Sequence, residues 1–240
     1  MKTAPMTVIG PLLVLGVAGL GEIAAGDDLS GLIAEHAPLL EGDVVVVTQK
    51  IVSKAEGRMV QVDSSDPDAK RLLAESEAVR VLRRRDDMVI TETRHGFVCA
   101  NSGVDLSNVE QGWAALLPDD PDRSARRIRD GLRARTGLEV AVVISDTFGR
   151  AWREGVTDVA LGCAGIKGIV DLRGTKDAMG RELVATEVCV VDEVAAAADL
   201  VMGKSRGVPV ALVRGVDPAV LGSGSVAGEV IRPYGEDLFR

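Results

Sequence analysis

Two short segments, Cys99-Ala100-Asn101-Ser102-Gly103-Val104-Asp105 and Val143-Ile144-Ser145-Asp146-Thr147, share a pattern. Each reads as a buried strand passing into a turn that bears an aspartate, and carboxylates at strand C-termini are placed to meet in a cleft. Asp105, Asp146 and the Thr147 hydroxyl would offer hard oxygen ligands to Mg²⁺ or Mn²⁺. Such ions usually keep waters and substrate phosphates as their remaining ligands. The plainer alternative is that both aspartates cap turns, a common use of Asp.

A phosphate ligand would need cations and N–H donors. No G-x-x-x-x-G-K-[ST] occurs, so a P-loop is absent. Lys54, in Ser53-Lys54-Ala55-Glu56-Gly57-Arg58, could act as a point charge on a polyphosphate, or be an ordinary surface lysine. Arg150 and Arg153 are candidates to offset charge on a second substrate, and equally helix-surface arginines. The stretch 162–174, with Lys167 and Arg173, could approach a ligand backbone-first, although glycine clusters more often serve turns. A catalytic Cys99 with His95 is disfavoured, because residues i and i+4 on a strand lie about 13 Å apart.

The elements that must position these groups follow from pattern. Thr7 to Val17 reads as a strand broken at Gly10-Pro11, and Asp27-Asp28 opens a short helix through Leu39-Leu40. Val44 to Val47 is a β-branched run typical of a strand buried on both faces. Residues 63–84 read as an Asp-Pro turn and a charged amphipathic helix, with Arg83-Arg84-Arg85 at its solvated end. Met88–Glu92 and Gly96–Ala100 read as neighbouring strands, and Asp122 to Arg135 as a basic amphipathic helix stopped by Thr136-Gly137. Val140 to Ser145 and Leu183 to Val191 read as strands. Asp192 is expected to cap an alanine-rich helix ending at Met202-Gly203, and Val208 to Val213 is the last clear strand. No strict βαβ beat appears, so the expected class is α+β with a mixed sheet.

Bulk properties narrow the classes. The 240 residues suffice for one domain, 1–240, with an ordered core at about 7–215 and an irregular tail from 222 to 240. A net charge of −8 and 2% aromatic residues leave neither a basic field nor stacking platforms for nucleic acid. Three cysteines, none in Cys-x-x-Cys spacing, suggest reduced buried thiols. Met6 to Gly21 resembles a signal peptide, but Pro5 and Pro11 interrupt it and Glu22 falls where a cleavage region should be neutral. That run is also too short and broken to span a bilayer, so a cytoplasmic protein without membrane contact is expected.

Six blocks together resemble the coenzyme F420-0:γ-glutamyl ligase family, including the N-terminal domain of its two-domain actinobacterial form. They are GDDLSGLI (26–33), EGDVVVVTQKIVSKAEGR (41–58), ANSGVDLSNVE (100–110), ISDTFGRAWREGVTDVALG (144–162), KDAMGREL (176–183) and VVDEVAAAADLVMGK (190–204). The resemblance implies a GTP-dependent ligase with the family's own α+β fold, working as an intertwined homodimer. It would add L-glutamate to coenzyme F420-0, or its dehydro form, through an acyl phosphate, with Mg²⁺ or Mn²⁺ and K⁺ as further cation. Further γ-linked glutamates could follow the first.

Asp105, Asp146 and Thr147 look like the family's metal ligands. Lys54, Asn108 and the turn Leu20-Gly21-Glu22-Ile23 look like its GTP contacts. Met202-Gly203-Lys204-Ser205-Arg206-Gly207-Val208 aligns with another nucleotide-contacting stretch. Departures exist. Gly21 stands where relatives often have proline, and Gln49-Lys50 replaces a Ser-Thr pair seen in archaeal relatives. Lys204 stands where those relatives place an acidic metal ligand, which weighs against a second metal. The flavin-binding C-terminal domain of the fused form is absent from this sequence, which reads as a stand-alone enzyme or one domain of a longer chain. Beside the ligase stand a metal-dependent phosphohydrolase on the same cleft and a non-catalytic GTP-binding domain.

Overall fold

Four consecutive valines, Val44 to Val47, are fully buried and set the centre of the fold. Each such side chain removed from water contributes about 1.5–3 kcal/mol, and burial on both faces requires cover on both sides of a sheet. The structure is a computed structural model that describes residues 10–63 and 65–237. In chain order its first elements are β1 (Leu13–Val17), α1 (Leu29–His36), β2 (Val44–Thr48), α2 (Gln49–Ala55), β3 (Met59–Gln61) and α3 (Ala69–Ser76). Next come β4 (Ala78–Arg85), β5 (Met88–Thr93), β6 (Val98–Ala100), β7 (Trp113–Ala115) and α4 (Pro121–Thr136). The chain continues through β8 (Ala141–Arg150), β9 (Arg153–Ala164), β10 (Val170–Asp171), β11 (Glu187–Val188), α5 (Val190–Met202) and β12 (Val210–Arg214).

The main sheet has the order β1-β12-β2-β8-β9. β2 and β8 run parallel, whereas the other neighbours are antiparallel, so the sheet is mixed and the fold α+β. Helix α5 packs across β1, β12 and β9, while α1 and α4 pack together, with α4 against β8 and β9. A smaller lobe holds the β4-β5-β6 and β3-β7 sheets, with its own core of Ala74, Val89, Val104, Ala114 and Leu116. Among the described residues no helix is long and apolar enough to cross a membrane.

Several sequence expectations need correction. Arg83 to Arg85 end a strand, not a helix, because pairing of β4 with β5 overrides the helical preference of arginine. Of the strand expected over Leu183 to Val191, only Glu187–Val188 pairs, and the alanine-rich helix already begins at Val190. The N-cap of α5 is Cys189, and Asp192 in its first turn instead accepts from the Ala160 amide at 2.8 Å. The first strand begins at Leu13, and residues 7–9 lie outside the described residues. β9, a twelve-residue strand, was hidden by the glycines around it.

Other boundaries match their signals. Asp28 caps α1, accepting from the Gly31 amide, and Gly137 ends α4 in the left-handed conformation at φ 72°. Beyond Gly222 the chain forms a π-helical turn over Val226–Val230, whose Val226 is fully buried.

Candidate functional site

Pairing of β2 with β8 stops at Thr48 and Ser145. There β2 turns into α2, while β8 continues to Arg150 alongside β9 alone. The freed edge of β8, beside the carboxyl end of its parallel partner β2, is where open sheets leave room for a ligand. A cavity of about 400 Å³ opens there, within the usual size of a ligand pocket.

Asp146 and Thr147 sit on the free stretch of β8 and line the cavity. Asp146 is therefore inside a strand, not on the turn expected after one. Asp105 enters from the smaller lobe, where its backbone bridges to Ala115 after the turn 101–103. From α2 come Gln49, Lys50 and Lys54, and from the first loop Gly21 and Glu22. Asn108, Gly203, Lys204, Ser205, Gly207 and Val208 close the rim.

Leu20, Ile23 and Met202 are buried in the apolar core instead, and Arg206 does not line the cavity. The exposed Arg150 and Arg153 pair with each other at the end of the β8–β9 hairpin, also outside the lining. Thr48, Ile51, Ser145, Asp158 and Pro209 also line the cavity, and no motif in the sequence marks them.

The charges are organised. Lys50 Nζ lies 2.8 Å from Asp105 Oδ2 and donates to Ser107 O at 2.6 Å and Ser107 Oγ at 2.8 Å. Burial pushes the Asp105 carboxyl up, yet Lys50 and Ser107 outweigh it and hold the group below the usual range. Asp146 behaves oppositely. Its carboxyl is raised to about 7, chiefly by burial and also by the charges of Asp105 and Asp158, against the opposing pull of Thr147 and Lys204. Lys54 pairs with Glu22, and Asn108 Nδ2 donates to Lys204 O at 3.2 Å, tying two rim loops together. Gly21 turns at φ 75°, a conformation closed to proline. One end of the buried Gln49 amide has no hydrogen-bond partner among the described residues.

These donors suit a hard divalent cation. Two carboxylates and a hydroxyl on one cavity wall match the oxygen preference of Mg²⁺ and Mn²⁺. Among the described residues no three or more His, Cys, Asp or Glu side chains form a metal cage on their own. The remaining ligand positions would fall to water and phosphate oxygens, which is how Mg²⁺ is ordinarily held.

Other candidates fall away. Burial raises the Cys99 thiol to about 12, and His95 Nε2 faces the carbonyls of Pro118 and Asp119, so the two supply no activated nucleophile. Cys99, Cys163 and Cys189 are all free. A smaller cavity of about 230 Å³ lies beside Asp28, Glu56 and Arg127 and contains none of the sequence-predicted residues.

The family model of F420-0:Gamma-glutamyl ligases matches residues 19–215. The chain is 42% identical to the coenzyme F420:L-glutamate ligase of Methanothermobacter thermautotrophicus, over 95% of this chain and 98% of that one. It is 43% identical to the enzyme of the same name from Methanopyrus kandleri, covering 91% and 94%, respectively. The Methanocaldococcus jannaschii enzyme of that name is 40% identical over 89% of this chain and 90% of its own length.

Proposed function

The chain belongs to the F420-0:gamma-glutamyl ligase family, and from that membership we propose that it joins L-glutamate to coenzyme F420-0 by an amide bond, driven by GTP. The observation that carries the site assignment is the convergence of Asp105, Asp146, Thr147, Lys54 and Asn108 on one cavity, from elements far apart in sequence.

A carboxylate resists attack by an amine, so it must first be activated. The γ-phosphoryl group of GTP passes to the terminal carboxylate of F420-0, giving an acyl phosphate and GDP. The glutamate amine then displaces phosphate and forms the amide. Asp105, Asp146 and Thr147 would hold the divalent cation, whose chemistry there is to offset phosphate charge and align the transferring group. Lys54, only 11% exposed at its side chain, turns from Glu22 toward the phosphates as a fixed point charge. Asn108 and the backbone of Gly203, Lys204, Ser205, Gly207 and Val208 hold the nucleotide against the rim. Lys204, close enough to Asp146 and Asp199 to favour their ionised forms, supplies the positive charge on that side, so one divalent cation suffices. Walls of β2, β8 and α2 limit water around the acyl phosphate, which would otherwise hydrolyse. The working form is an intertwined homodimer.

The test is mass spectrometry after incubation with F420-0 or its dehydro form, GTP, Mg²⁺ or Mn²⁺, and L-glutamate. A product heavier by one or more glutamyl units, formed together with GDP, is expected. GDP release without glutamate and without such a product would overturn the ligase and indicate a phosphohydrolase. Tight GTP binding with no turnover would indicate a binding domain.

A further inference from the structure

The strand β9 brings a further carboxylate, Asp158, to the cavity wall opposite Thr147. Its residue is 3% exposed. Among the described residues its side-chain partners are two hydroxyls and no ammonium or guanidinium: Ser145 Oγ donates to Oδ2 at 2.8 Å, and Thr147 Oγ1 donates to Oδ1 at 2.6 Å. These hydroxyls flank Asp146 in sequence. In both bonds the hydroxyl is the donor and a carboxylate oxygen the acceptor. Each hydroxyl hydrogen points to Asp158, and the lone pairs of Thr147 Oγ1 are left free of that hydrogen. A hydroxyl can ligate a cation only when its own hydrogen points away from it.

We infer that Asp158 is a positioning residue that locks the Thr147 hydroxyl with its hydrogen turned away and its lone pairs available to the divalent cation. The inference rests on the proposed site reading, and it concerns a residue that makes no ligand bond itself. Strand pairing supplies the reason for its precision. Thr147 and Asp158 are direct cross-strand partners on β8 and β9, so their separation is set by the sheet and not by a loop. Groups that orient a metal ligand typically change metal affinity by about ten- to a hundredfold when removed.

The experiment measures Mn²⁺ affinity by electron paramagnetic resonance with GTP present, alongside thermal melts as a fold control. Asp158→Ala is expected to weaken Mn²⁺ binding about ten- to a hundredfold. Asp158→Asn, near-isosteric and retaining one acceptor oxygen, is expected to lose less and to preserve the fold if the alanine variant does not. Thr147→Val supplies the second arm: in that background Asp158→Asn must cost several-fold less than in the unaltered chain. Unchanged Mn²⁺ affinity in the Asp158 variants overturns the inference, as does an equal loss in both backgrounds, which would mean action through charge or fold alone. A native chain that binds no Mn²⁺ with GTP present would instead overturn the site reading beneath it.

Discussion

At the scale of single residues, Asp146 is a proposed metal ligand whose carboxyl is far from that of a free side chain. Its carboxyl is raised by burial from an ordinary 3.8 to about 7, so the metal-free folded protein holds a proton that the unfolded chain has lost. Between those two values unfolding releases that proton, and the contribution of Asp146 to stability falls as pH rises, levelling off above about pH 7. Asp146→Asn lacks this slope. In metal-free melts the asparagine variant should therefore gain on the unaltered chain from pH 4 to pH 8, and an unchanged difference would refute the assignment. The same variant should lose more than about 100-fold in glutamate-dependent GDP release, as expected from several kcal/mol of charge stabilisation by a held cation. The six sequence blocks pointed to Asp105, Asp146 and Thr147, and all three line the cavity. Nothing in the local sequence singles out Asp158, because the glycines at 155 and 162 disguise the strand that carries it. Only with β9 in place does its alternation put it across from Thr147.

At the scale of elements, Asp122 ties three of them together. From the first turn of α4 it accepts from the amides of Cys163, Val226 and Ala227 and from the Ser225 hydroxyl, at 2.7 to 3.1 Å. A buried carboxylate with four donors is well satisfied, and it anchors the segment after Gly222 to β9 and α4. Asp122→Ala strands those donors and should cost about 2–4 kcal/mol in urea unfolding. Limited proteolysis should then cleave beyond residue 221 before any other site; a native-like digestion pattern would refute the anchoring role. Contact is closest nearby at Gly162, where an added Cβ would sit 2.2 Å from the Pro121 carbonyl carbon. That packing explains a glycine in a strand, and it is also why the local sequence disguised β9. In the same way the run from Ala78 to Arg85 carries helix-forming residues, and only the partner strand β5 decides its state.

At the scale of the whole molecule, β8 and β9 project past β2 as a two-stranded ribbon. Trp152 at its tip is 88% exposed, and Val156 is 62% exposed. Large apolar side chains left bare on an extended ribbon are costly in water and suit burial against a second copy of the chain. Sedimentation analysis should find the unaltered chain as a dimer, with Trp152→Glu shifted toward monomer; a monomeric unaltered chain would remove the homodimer from the proposal. What the sequence determined by itself was local or compositional: the valine strand at the centre, the capped helices α1 and α4, the mixed α+β class and the donor residues carried by recognisable blocks. Tertiary structure alone decided where β2 lets go of β8, which carboxylate faces which hydroxyl, and that Lys50 spends its charge on Asp105. Those facts depend on contacts between residues distant in the chain, and propensity and periodicity hold no information on such distances.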